Sequence, residues 1–211
     1  MLTIHHLCRS QSERIVWLCE ELGLDYELVR YERRADNRMA PPEYKALHPM
    51  GTAPVIVDGD LVLGESGAIC EYVIHTHGDG RLAIPSGAPD FADYLYWFHL
   101  ANGTLQPLLL RMLSLGRVDP TETSPPMLLA KEQFARLFAM LDARLASAPY
   151  LAGAELTAAD IMTVFPLTTM RLFKPYDLSP WPNILGYLQR IAERPAYRRA
   201  MARADPESQT P

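Results

Sequence analysis

The sequence predicts an α/β unit over residues 1–80, a linker over 81–89 and an all-helical unit over 90–205. Three observations carry this. Through the first stretch the apolar residues switch between the alternating period of strands and the longer period of helices. One hairpin signal, Asp58-Gly59 between two apolar runs, adds an antiparallel pair. Beyond the Gly- and Pro-rich segment GDGRLAIPSGAPD (78–90), only helical spacing remains.

Each element has its own signal. LTIHHL (2–7) is short and rich in strand formers. In SERIVWLCEELGL, Ile15, Leu18, Cys19 and Leu22 share a helical face, and Gly23 sits where a C-terminal stop belongs. DYELVRY (25–31) reads as a second strand and PPEYKALH as a short helix. Pro54–Val57 and Leu61–Leu63 form the hairpin, and from Glu65 Ile69, Cys70, Val73 and Ile74 line one face of a helix. Parallel strands need a crossover, so the order βαβ-ββα gives a compact mixed sheet.

The second half opens with FADYLYWFHLANGTLQPLLLRMLSL, a long helix that Gly103 and Pro107 are expected to bend. In MLLAKEQFARLFAMLDARLASA, residues Leu129, Phe134, Leu137, Phe138, Leu141 and Leu145 are spaced to face a core. LTAADI (156–161) is a capping box with Thr157 and Asp160, a structural device. A last helix runs through NILGYLQRIAERPAYRRAM (183–201) and is interrupted at Pro195; the tail 206–211 reads as disordered.

Composition bounds the function. Of 211 residues, 48% are hydrophobic and 21% charged, the ordinary globular range. A net charge of −5 argues against nucleic acid or an anionic membrane as the main partner. Arg190, Arg194, Arg198, Arg199 and Arg203 read as a solvated helix face. Three scattered cysteines make neither a disulfide framework nor a zinc finger, and suit a reducing compartment. With no signal-peptide start and no long apolar span, the expected location is the cytoplasm. His5 and His6 are adjacent on a strand and point to opposite faces, so they cannot share a metal ion; none is expected.

The segments HHLCRSQSERIVWLCEELGL, HPMGTAPVIVDGD, GESGAI and LTAADI, in this order and spacing, resemble the glutathione transferase family. The resemblance covers essentially the whole chain. It implies a thioredoxin-like N-terminal domain that carries glutathione, then an all-α helical-bundle domain. The first segment is similar to bacterial and fungal members that use a serine where others use tyrosine.

The site follows from that resemblance residue by residue. Pro54 would be preceded by a cis bond, turning the main chain of Ala53 toward a peptide ligand that pairs with it as a strand would. Glu65 and Ser66 start a helix, which suits both a plain N-cap and the zwitterionic end of glutathione, Ser66 taking the carboxylate and Glu65 the ammonium. Ser10 would donate a hydrogen bond to the thiolate; Ser12 is the alternative, although it also reads as the helix N-cap. Depressing a thiol pKa by two units would correspond to about 2.7 kcal/mol. Arg9 would add positive potential, while Arg14 reads as structural and Cys8 as a small buried residue. Thr52 stands where relatives often carry a basic residue for the glycyl carboxylate, leaving Lys45, Arg38 or Arg34 as substitutes. The electrophile pocket is expected around Leu7, Tyr96, His99, Gly103 and Gln106.

The expected activity is addition of the glutathione thiolate to electrophilic small apolar substrates, as in detoxification, by a homodimer joined through the helix after Glu65 and the fourth helix. Two other readings stay open on the same scaffold: a glutathione-dependent disulfide reductase or peroxidase that uses Cys8, and a non-catalytic ligand- or protein-binding module.

Overall fold

The computed structural model describes residues 1–206, so the expected disordered tail lies outside the described residues except for Pro206, an exposed turn residue. Two compact units are found: Met1–Ala83 together with the chain from Ala192, and Ile84–Ile191.

The first unit is built on a four-stranded sheet of order β2-β1-β3-β4. Its strands are β1 (Leu2–Leu7), β2 (Glu27–Tyr31), β3 (Val55–Asp58) and β4 (Leu61–Gly64). β1 and β2 are parallel, as the crossover through α1 (Glu13–Leu22) requires, and β3 pairs antiparallel with both β1 and β4. α2 (Pro42–Lys45) is a single turn, and α3 (Ser66–Thr76) buries Ile69, Cys70, Val73 and Ile74 as the spacing predicts. Gly23 ends α1 in the left-handed region at φ 65°. The hairpin turn sits one residue later than expected. Asp58 pairs with Leu61, so the loop is Gly59-Asp60, with Gly59 at φ 59° in the first loop position, where a glycine suits a type II′ turn.

The closing helix α9 (Pro195–Ala204) belongs to this unit and packs on α1, so the compact division is not the linear one that a boundary near residue 80 describes. Trp17 and Tyr197 meet edge to face at 4.9 Å. Three of the arginines expected to be merely solvated are paired here: Arg194 with Glu21 at 2.7 Å, and Arg199 and Arg203 with Glu20, each at 2.8 Å. The acidic pair at the end of α1 gives that basic face a partner that helical periodicity alone does not reveal.

The second unit holds α4 (Phe91–Leu100), α5 (Gln106–Val118), α6 (Pro125–Ser147), α7 (Ala158–Leu167) and most of α8 (Pro182–Glu193). The expected bend is a π-helical turn, Ala101–Leu105, between α4 and α5; Pro107 has no N–H to continue the ordinary ladder, and a wider turn absorbs the defect. On α6, Leu137, Phe138, Leu141 and Leu145 are buried, but Leu129 is 49% exposed because Met127 and Ala130 occupy the inward positions of the first turns. Phe134 stacks on Phe138 at 4.0 Å beside Tyr176 and Trp181. Among the described residues no helix is long and apolar enough to cross a membrane.

Candidate functional site

The loop from β1 into α1 is held from several sides. Cys8 N donates to Tyr31 O at 2.9 Å, and the Arg33 guanidinium donates to the carbonyls of Cys8 and Arg9 at 2.8 and 3.1 Å. Arg9 N donates to both carboxylate oxygens of Asp205, at 3.0 and 3.1 Å. Arg9 is thereby held at φ 54°, a conformation uncommon for a side-chain-bearing residue. Ser10 follows this fixed corner and is 6% exposed.

Behind Ser10 runs a buried chain of hydrogen bonds. Ser10 Oγ lies 2.7 Å from Ser12 Oγ and accepts from Ser12 N at 3.2 Å. Ser12 Oγ accepts from Leu7 N at 3.1 Å and lies 2.8 Å from His6 Nδ1. His6 Nε2 lies 3.2 Å from Asp205 Oδ2. Ser12 stands at the N-cap of α1, yet its side chain makes no capping hydrogen bond, so the cap role expected from its position is not the one its hydroxyl takes. His5, on the opposite face of β1, contacts Tyr31 Oη at 3.0 Å instead.

Burial pushes the Asp205 carboxyl up, but the His6 hydrogen bond and charge and the Arg9 N–H outweigh it, so the group stays ionised below the usual carboxylate range. The nitrogen, sulfur and carboxylate atoms of His6, Cys8 and Asp205 fall within 4.8 Å of one another. Hydrogen bonds within the protein engage all three side chains. Cys8 Sγ donates to Glu32 Oε1 at 3.1 Å, and burial together with that bond pushes the thiol up to about 12. A thiol so raised is a poor nucleophile at neutral pH.

Two side chains that the sequence reading did not assign to the site tie its segments together. Gln11 Nε2 donates to Ala53 O at 2.8 Å. Arg14 Nη1 donates to Gln11 Oε1 at 2.9 Å and to Ser66 Oγ at 3.1 Å. Arg14 is buried, which lowers its pKa to about 10 and leaves it charged at neutral pH. Gln11, in the turn before α1, stands three residues ahead of Arg14, and that spacing was the available signal. The Ala53–Pro54 bond is cis. The Ala53 carbonyl, expected to face a ligand, already accepts from Gln11 and keeps one lone pair for a second donor.

Ser66 is the first residue of α3 and is buried, while Glu65 is exposed and held at φ 68°, a strained position. Thr52 is exposed. A cavity of about 480 Å³ beside Cys8 and Arg9 is walled by Arg9, Arg30, Arg33, Arg34 and Arg38 against Glu32 and Asp205, in a chain whose net charge is −5. Lys45 is exposed, and its Cβ and Cγ lie under Gly51.

The electrophile-pocket candidates fall in both units. Leu7 packs with Ala40, Tyr44 and Val55 in the core of the first unit. In the second unit Tyr96 is 50% exposed with its hydroxyl donating to Met140 Sδ, and His99 is exposed. Gly103 lines a cavity of about 470 Å³ with Thr104, Pro107, Leu108 and residues of α6, whereas Gln106 does not line it.

Residues 9–76 match the family model for the glutathione S-transferase N-terminal domain, and residues 106–195 that for its C-terminal domain. Glutathione S-transferase 3 of Schizosaccharomyces pombe is 31% identical, across 100% of this chain and 90% of its own length. The chain belongs to the glutathione S-transferase family. A solved glutathione S-transferase from Actinobacillus pleuropneumoniae superimposes with a TM-score of 0.86 at 34% identity, over 97% of this chain and 93% of that one. A theta-class glutathione S-transferase from Xanthomonas axonopodis pv. citri, solved with glutathione bound, superimposes with a TM-score of 0.71 at 27% identity, over 94% and 96% of the two chains. Family membership gives the loop, the cis-proline turn and the α3 N-terminus a common context.

Proposed function

We propose that this chain binds glutathione along the cis-proline turn and transfers its thiolate to small apolar electrophiles. The observation that carries the reading is the Arg14–Gln11 link, which joins the Ser10 loop, the Ala53 main chain and Ser66 within one compact unit. A tripeptide needs those three contacts in sequence: one for its sulfur, one for its main chain and one for its charged end.

In this reading the γ-glutamyl carboxylate sits at the N-terminus of α3 with Ser66, where the helix dipole and the buried Arg14 cation both favour an anion. Glu65 meets the ammonium. The Ala53 N–H donates to the cysteinyl carbonyl. Thr52 offers the glycyl carboxylate only a neutral hydrogen bond, and Arg38 is the candidate for its positive charge, since Arg34 is paired with Asp36. Ser10 stabilises the thiolate by donating a hydrogen bond to it, and the adjacent Arg9 adds positive charge. Ser10 is favoured over Ser12 because the Ser12 hydroxyl already meets Leu7, Ser10 and His6.

A cytoplasmic homodimer completes the proposal; exposed Leu61 and Val62 on β4 are apolar surface consistent with a partner. The test pairs calorimetry with turnover of a nitro-substituted aryl chloride. Ser10→Ala should lower turnover at least about tenfold while changing glutathione affinity little, as expected for a donor that acts on the thiolate. Equal turnover in both proteins removes Ser10 from the role. Absence of binding heat with millimolar glutathione turns the reading toward a non-catalytic module.

A further inference from the structure

Hydrogen counting along the buried chain exposes a conflict in the resting site. Asp205 is an ionised acceptor, so the His6 Nε2–H must donate to it. In neutral His6 the other nitrogen, Nδ1, is then an acceptor, and the Ser12 hydroxyl donates to it across 2.8 Å. Ser12 has a single hydroxyl hydrogen. The 2.7 Å contact between the serines must therefore run from Ser10 O–H to Ser12 Oγ, which also accepts from Leu7 N. At rest, Ser10 has no hydrogen left for a thiolate.

The same arrangement resolves the conflict if the proton moves. We infer that His6, oriented by Asp205, is the base for the glutathione thiol, acting through Ser12 and Ser10. This inference rests on the reading that Ser10 meets the sulfur. The thiol gives its proton to Ser10 Oγ as the S–H bond breaks. Ser10 passes its own hydrogen to Ser12, and Ser12 passes its hydrogen to His6 Nδ1. Three O–H or N–H bonds form and three S–H or O–H bonds break, so no atom is gained or lost.

The product state satisfies every group. Ser10 O–H donates to the thiolate, Ser12 O–H donates to Ser10, and imidazolium Nδ1–H donates to Ser12. Nε2–H remains on Asp205, now as an ion pair in a buried place. The Leu7 and Ser12 amides keep the acceptors they have at rest. Beyond Asp205, the charged or titratable groups at this corner include Arg9, Glu13, Cys8, Glu32, Arg30 and Arg33; Cys8, held protonated by burial and Glu32, does not compete for the proton.

The relay makes a claim about where the thiol proton goes. Glutathione binding to the wild-type protein at neutral pH, followed by calorimetry in buffers of differing ionisation enthalpy and by thiolate absorbance, should give thiolate with no net proton released to the buffer. One proton released per thiolate formed overturns the relay. Asp205→Asn, which can hold His6 in the other tautomer, should lower kcat/KM at least about tenfold and either abolish the bound thiolate or release its proton to buffer. His6→Asn should do the same, and neither should worsen Ser10→Ala much further, since members of one relay are not additive. If Ser10→Ala is impaired while Asp205→Asn keeps wild-type turnover and proton balance, the relay fails and the Ser10 reading stands. If Ser10→Ala itself is unimpaired, that underlying reading fails.

Discussion

Helix α7 starts at Thr157, whose hydroxyl accepts from Ala159 N at 3.3 Å while Asp160 reaches back to Thr157 N at 2.9 Å. Helix α1 starts at Ser12, also a good capping residue, whose hydroxyl gives its own helix nothing and is turned toward Leu7, Ser10 and His6. Both ends are buried, and both carry a buried aspartate in their network. At α7 every bond is scaffolding: Asp160 also accepts from Leu151 N in the preceding loop and from Tyr187 Oη of α8. In α1 the cap is forgone, a loss of about 1 kcal/mol by the usual measure, and the hydroxyl is directed at the neighbouring serine. A local rule broken at a well-packed place is where a functional site is to be sought; the same rule obeyed is what scaffolding requires.

The largest effect that tests this contrast is on stability. Asp160→Ala leaves Leu151 N, Thr157 N and Tyr187 Oη without their buried acceptor, and should cost about 3–5 kcal/mol in denaturant unfolding. A loss below about 1 kcal/mol would mean that the α7 network is ornamental. Next in size is a pair. Thr157→Ala should cost about 1 kcal/mol with turnover unchanged, whereas Ser12→Ala should lower turnover severalfold as well as stability. Unchanged turnover in Ser12→Ala would erase the distinction between the two helix starts.

The third test is a pH slope. Burial raises the Asp160 carboxyl from an ordinary 3.8 to about 6. Its folded form thus binds a proton more tightly than its unfolded form, so its stabilising contribution is complete below about pH 4 and is lost as pH rises through about 6. Denaturant midpoints across that window should fall more steeply for wild type than for Asp160→Asn. Asp205, held below its ordinary value by His6 and Arg9, has the opposite sign: its contribution is present above the ordinary carboxylate range and is lost at lower pH.

Local pattern was enough for the sheet, the hairpin, the bend near Pro107 and the α7 capping box, because each depends on residues close together in the chain. The turn slipped by one residue because Asp58-Gly59 and Gly59-Asp60 both suit a hairpin and only strand register chooses between them. Strand alternation separated His5 from His6 but could not say what either would meet. The decisive partner, Asp205, lies 199 residues from His6, and no periodicity links positions so far apart. Arg14 looked like an ordinary helix residue until Ser66 was brought to it from 52 residues away.

Residues from Ala192 onward complete the first unit, and Asp205 supplies the carboxylate that fixes both Arg9 and His6. During synthesis the sheet leaves the ribosome long before that carboxylate exists. Through the whole translation of residues 84–191 the nascent chain carries a serine loop whose final anchor has not been made. A chain released before Asp205 is made carries the loop without the carboxylate that fixes Arg9 and His6.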